Sequence, residues 1–287
     1  MTIHSTFGKL AFSLALAGTF LFSGLDARAA NDTTDTLNFV NYRDVRDLNP
    51  HLYAGEMYAQ EMLFETLVDI TADGYKPCLA ESWDISPDGK VYTFHIRKGV
   101  TFTDGTPCDA FAIKANFDAI LENRARHTWL EMMHLLEKVD APDAHTFRIF
   151  MKAPYWPMLT ELGVTRPFAI ISPKAMKNGS TKDGVTAYVG TGPYKLTKVV
   201  TDEYAVFEAN ETYWGEQPKI KRVVVKVIPD NQTRIMALEN EEIDLIFGKN
   251  MLDADAISQY VDSDKFTVGL SDPTSTRHIV LNTTHDI

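Results

Sequence analysis

Apolar and polar residues alternate along VYTFHIR (residues 91–97), where Tyr92, Phe94 and Ile96 are apolar against Thr93, His95 and Arg97. A period of two marks a half-buried strand, and it places His95 on the polar face as an ordinary surface histidine. The same reading predicts a buried first strand at LNFVNY (37–42), then a loop at LNPHLY (48–53). A helix over 57–64 follows, turning Met57, Leu63 and Phe64 toward a core. Short strands at 67–70 and 81–85 are bounded by the turn signals Asp73-Gly74 and Pro87-Asp88-Gly89. Asp109 is a plausible cap for a helix whose stripe is Phe111, Ala115, Ile120 and Leu121 and which ends near Asn123. A second helix is predicted over 129–138, a strand at HTFRIFM (145–151), a helix over 158–162 and a strand over 168–172.

From Gly190 the pattern becomes strand-rich, through YKLTKVV (194–200), EYAVFEAN (203–210) and IKRVVVKVIPD (220–230). The last is nearly continuous in apolar residues, as expected of a strand covered on both faces. Asp230 then caps a helix with Ile235, Met236 and Leu238 as its stripe, Asn240 stands where a left-handed cap would fall, and IDLIF (243–247) is the next strand. This strand–helix–strand unit predicts an α/β sheet with a ligand near the carboxyl edge of its strands. The division it suggests is discontinuous: an α/β unit from 30–71 and 188–287, with an α+β unit inserted at 72–187.

Residues 1–29 read as an export signal, with Lys9 in a short basic region, an apolar stretch over 10–25 and Ala27-Arg28-Ala29 as a small-x-small cleavage site. The expected mature protein is soluble and resides outside the cytoplasm. The whole chain carries 28 basic and 39 acidic side chains; removal of Lys9, Arg28 and Asp26 with the signal leaves 26 and 38. That acidic balance argues against nucleic acid and anionic membrane surfaces as partners, and keeping an exported protein soluble is the simpler reading of it. Apolar residues make up 45% of the sequence, ample for a packed core. Cys78 and Cys108 are the only cysteines. An oxidising compartment permits a bridge between them, and free thiols remain the alternative, because geometry decides.

Enzyme motifs are missing: the chain holds no GxSxG, HExxH or GxxxxGK[ST]. Gly190-Thr191-Gly192 precedes Pro193 and a strand pattern, so it fails as a dinucleotide loop, which must open a helix. His127 and His134 are seven residues apart; on one helix they would share a face, yet be about 10 Å apart in rise, too far to chelate one ion easily. Tyr53, Arg126, Trp129 and Arg166 are the unusual set, since arginine forks fit carboxylates and a flat aromatic beside them makes a wall. On composition alone a core Trp129 with two solvated arginines is an open alternative.

The run AESWDISPDGKVYTFHIRKGVTFTDGTPCD (80–109) resembles the signature of solute-binding proteins of ABC importers, family 5, which includes dipeptide-, oligopeptide- and haem-binding members. LNPHLY, GTGPY, NETYWGE, VIPD and LENEEIDL follow that family in order, and NRARHTWLE with TRPFAIISP resembles its nickel branch. The resemblance implies a carrier rather than an enzyme, with a periplasmic binding protein-like II (cluster C) fold. It implies a monomer that delivers a nickel chelate, histidine- or carboxylate-based, to an inner-membrane permease. It also implies that Arg166 holds a carboxylate of the chelator while Tyr53, Met57, Arg126 and Trp129 line the pocket. The loop between Tyr53 and Met57 is one residue shorter than the family pattern, which loosens the placement of Met57. In that family a second lobe carries the direct metal ligand. Ile287 follows the strand-like IVLN (279–282) about where the chain would cross to it, so the first lobe alone is expected, from a truncated or split reading frame. Weak chelate binding and an exposed sheet edge near 278–282 are expected with it.

Overall fold

Alternation and capping account for most of the local structure in the computed structural model, which describes residues 35–248 and 251–270. The export segment, the strand at 279–282 and its edge lie outside the described residues. Strand β1 is Thr36–Asn41, and after a long loop comes the short helix α1, Met57–Leu63. Strands β2 (Val68–Thr71) and β3 (Gly74–Pro77) form a hairpin whose turn uses Gly74 at φ +108°. Then come β4 (Ala80–Ile85) and β5 (Val91–Ile96), and β5 buries Tyr92, Phe94 and Ile96 as its alternation requires. Helix α2, Ala110–Glu122, starts where Asp109 accepts a hydrogen bond from the Ala112 amide at 2.9 Å.

A 3-10 turn at Arg124–His127 leads to α3 (Glu131–Leu135), β6 (Leu136–Asp143) and β7 (Thr146–Met151). Helices α4 (Met158–Leu162) and α5 (Thr165–Phe168) follow, the second interrupted by non-helical backbone at Arg166 and Pro167. The remaining elements are β8 (Met176–Lys177), β9 (Ser180–Val185), β10 (Tyr194–Val200), β11 (Tyr204–Ala209), β12 (Arg222–Val227), α6 (Asn231–Glu239), β13 (Leu245–Ile246) and α7 (Ala254–Ser258).

One sheet has the order β10-β11-β12-β1-β13, with β1 parallel to both β12 and β13. The β12–α6–β13 crossover therefore passes over β1, and the loop after Asn41 leaves the carboxyl edge of the parallel strands. A second sheet, β4-β5-β7-β6, is antiparallel throughout. It packs its apolar face, with Phe94 and Phe147, in one core cluster with Ile113, Phe117 and Ile120 of α2.

Several expectations are corrected. The helix expected over 129–138 stops at Leu135, because the next residues pair with β7 in register Val139 opposite Ile149. His127 and His134 thus lie on separate elements, and His134 Nε2 donates to the Thr128 carbonyl at 2.9 Å. Residues 168–172 form no strand; Ile170 makes a single bridge to Glu65. Phe111 is 53% exposed, since the buried face of α2 runs through Ala110, Ile113, Phe117 and Ile120. The left-handed residue after α6 is Glu241, not Asn240. Cys78 and Cys108 are free thiols, each packed into the apolar cluster, where burial pushes both pKa values up.

Candidate functional site: the loop at the carboxyl edge of the first strand

The loop from Tyr42 to Glu56 is held by polar side chains that have no route to water. His51, buried, sits with Nδ1 2.8 Å from Thr181 Oγ1 and Nε2 3.2 Å from the Ala169 carbonyl. A carbonyl only accepts, so the ring proton is on Nε2 and Nδ1 accepts from the threonine hydroxyl. Burial is the main reason its pKa falls to about 3, which keeps it neutral. Asn49 donates to the Thr181 carbonyl at 2.9 Å. From α1, the buried Gln60 donates to the carbonyls of Asn49 at 3.2 Å and Ala54 at 3.3 Å. LNPHLY is therefore first of all an anchoring motif.

Gln60 also receives Arg166. Its Oε1 accepts from Arg166 Nε, while Arg166 Nη2 donates to the Gly55 carbonyl at 2.9 Å. Gly55 needs its φ of +78°, and a Cβ there would lie 2.1 Å from the Asp47 carbonyl oxygen. Two of the five guanidinium N–H donors are thereby used, and Nη1 has no hydrogen-bond partner among the described residues. Partial burial lowers the Arg166 pKa, while the neighbouring Glu56 and Glu61 act to raise it and Arg43 to lower it. Glu56 itself pairs with Arg43 Nε. The guanidinium is thus oriented from one side and unfilled on the other, which suits a bidentate carboxylate.

Tyr53 sits two residues before Gly55. Its Oη accepts from Trp129 Nε1 at 2.7 Å and lies 2.8 Å from His127 Nδ1. The Tyr53 and Trp129 rings meet edge-on at 5.8 Å and 66°. Trp129 is 61% exposed, so it is not core, and Met57, expected to face a core, is 46% exposed at the first turn of α1. Arg126 is exposed and acts electrostatically on both Tyr53 and His127. The structure therefore brings Tyr53 and Trp129 into contact, sets Arg126 beside them, and ties Arg166 to the same loop at Gly55. Among the described residues no hydrogen bond or ring contact joins Arg166 to Trp129 directly. Sequence reasoning missed Gln60, Glu56 with Arg43, and His127 in this setting; a glutamine among the buried positions of a short helix was the available signal for the first. No group of three or more His, Cys, Asp or Glu side chains suited to a metal ion occurs among the described residues.

A second polar centre lies where GTGPY and NETYWGE meet. Glu65 accepts from Thr191 Oγ1 at 2.7 Å, Trp214 Nε1 at 2.7 Å and Tyr213 Oη at 2.9 Å, and Arg97 stacks over the Trp214 ring at 4.4 Å. Burial raises the Glu65 pKa against these bonds. Gly192 donates to the Leu63 carbonyl at 2.9 Å, and a Cβ on Gly190 would lie 1.9 Å from that oxygen. The glycines are there for close approach of the 190–192 backbone to the end of α1.

This sequence and fold are matched in known proteins. The profile of bacterial extracellular solute-binding proteins, family 5 Middle, fits residues 74–287, and the chain belongs to that family. The nickel-binding periplasmic protein of Escherichia coli (strain K12) is 41% identical over 282 residues, 97% of this chain and 52% of the relative. Heme-binding protein A of Haemophilus influenzae is 31% identical over 198 residues, 62% of this chain and 36% of the relative. Among solved structures, NikA from Brucella suis in complex with Fe(III)-EDTA is similar with a TM-score of 0.77 at 46% identity, covering 78% of this chain and 46% of that one. The chain spans about half the length of the first of these curated relatives. Both curated relatives and the family are named for binding, which agrees with the reading of a carrier and not an enzyme. No helix among the described residues is long and apolar enough to cross a membrane.

Proposed function

We propose that this chain provides the extracytoplasmic solute-binding part of an ABC importer, holding a nickel chelate and delivering it to an inner-membrane permease. The observation that carries the reading is the half-filled guanidinium of Arg166, fixed by Gln60 and Gly55 on the loop that also presents Tyr53 against Trp129. Arg166 takes a carboxylate of the chelator; Tyr53, Trp129 and Met57 supply an aromatic and thioether wall, and Arg126 adds positive charge. Nickel is cargo, already wrapped in histidine or a small carboxylate ligand, so the protein need not supply many metal ligands of its own. The 41% identity to a nickel-binding relative favours this cargo over others. In this reading the protein is exported to the periplasm by residues 1–29 and works as a monomer. The unit at 72–187 is inserted into the unit formed by 30–71 and 188–287.

A haem or peptide cargo on the same fold is the second reading, favoured by the 31% identity to a haem-binding relative. Thermal unfolding with millimolar nickel plus histidine, a dipeptide or haem separates them, because even weak ligands stabilise the folded state at high concentration. Nickel–histidine is expected to give the largest shift in melting temperature; a larger shift with dipeptide or haem rejects the nickel reading.

A further inference from the structure

His127 has no place in the wall described above, yet it is fully buried and one of its nitrogens faces Tyr53. The proton order of the chain of bonds follows from donor chemistry. An indole N–H only donates, so Tyr53 Oη accepts from Trp129 at 2.7 Å. The phenol proton then goes to the acceptor in reach, His127 Nδ1 at 2.8 Å, which puts the imidazole proton on Nε2. A phenol accepting from both neighbours would strand its own proton. Nε2 is buried without a hydrogen-bond partner among the described residues. An unsatisfied buried polar atom is unfavourable, and here the fold tolerates one beside the half-buried Tyr53 and the exposed Trp129. Trp129, 61% exposed, has little packing to set its direction; the bond to Tyr53 and the edge contact do that.

We propose that His127 is the positioning residue of the aromatic wall: by accepting the Tyr53 proton it holds the phenol oxygen as acceptor for Trp129, and so fixes the indole before ligand arrives. Burial, then the charge of Arg126, holds its pKa down at about 4, which keeps the Nδ1 lone pair available across the neutral range. His127 acts electrostatically on His51, which burial holds neutral in turn. The brace stands on geometry alone. Its consequence for cargo rests on the function proposed above.

The test compares two substitutions with opposite expectations in the full chain. His127→Phe keeps a ring but has no acceptor; His127→Asn is smaller but offers an amide oxygen near the place of Nδ1. The readout is the Trp129 indole N–H signal in a nitrogen-15 correlation spectrum, assigned with Trp129→Phe, together with its exchange with solvent. The expected result is a near-wild-type signal in His127→Asn, and in His127→Phe a displaced signal with about tenfold faster exchange. A signal kept by Phe and lost by Asn, or unchanged in both, overturns the proposal in favour of simple packing. Should either variant fail to fold by circular dichroism, Tyr53→Phe decides: it must displace the Trp129 signal, and an unmoved signal overturns the brace. If the indole responds as expected while nickel–histidine stabilises none of the proteins, the brace holds and the cargo reading fails. If nickel–histidine stabilises the wild type while the indole is indifferent, only the brace fails.

Discussion

The two polar centres beside α1 differ in how completely their charged groups are used. Glu65 accepts three hydrogen bonds from Thr191, Tyr213 and Trp214, with Arg97 stacked over the indole. Arg166 is tied by two bonds to Gln60 and Gly55 and has Nη1 left over. Saturation is what a structural centre needs, because every unpaired buried group weakens the fold. A half-filled guanidinium, tied to the loop that also presents Tyr53 against the exposed Trp129, suits a partner from outside. On the function proposed above, the first centre serves stability and the second serves recognition.

The strongest way to break this comparison is Glu65→Ala, which leaves two hydroxyls and an indole N–H without their shared acceptor. A loss of about 3–5 kcal/mol in urea unfolding is expected, and a loss below about 1 kcal/mol would remove the distinction. Gly190→Ala should cost about 2–4 kcal/mol in the same assay, since a Cβ placed 1.9 Å from the Leu63 carbonyl forces the backbone apart. A Gly190→Ala stability equal to that of the wild type would mean that the two segments do not need close approach.

Acidification gives a smaller, signed effect. The pKa of His51 is lowered to about 3 and that of His127 to about 4, both mainly by burial. The unfolded chain takes up these protons near pH 6.5 and the folded chain does not, so stability is full above that pH and falls as the pH drops toward 4. Each histidine contributes about 1.4 kcal/mol per pH unit within its window. Glu65 works in the opposite direction, because its raised pKa makes the folded state the better proton acceptor there. Two histidines against one carboxyl leave a net loss, expected at about 2 kcal/mol between pH 7 and pH 5. Stability that rises over that range would show that the histidines are not held neutral.

Local structure was legible where one period dominated. The alternation of β5 and the Asp109 and Asp230 caps correspond to observed strands and helix starts, with α2 ending at Glu122 beside the expected Asn123. Residues 129–138 misled because a short apolar run fits helix and buried strand alike, and only pairing with β7 decided the matter. Glu65 was invisible for a different reason: its partners are 126, 148 and 149 residues away along the chain. His127 read as half of a helical histidine pair, although its bonded partner is Tyr53, 74 residues earlier. The motifs that resemble family 5 were legible as motifs. Their physical roles, with LNPHLY anchoring a loop and GTGPY allowing close approach, needed the tertiary contacts.

The most direct measurement is the melting temperature of Arg166→Gln and of wild type, each with and without millimolar nickel plus histidine. The account predicts that wild type gains stability with the ligand, and that Arg166→Gln loses that gain while its ligand-free melting temperature stays within a few degrees of wild type. A ligand-induced shift of equal size in both proteins would contradict it.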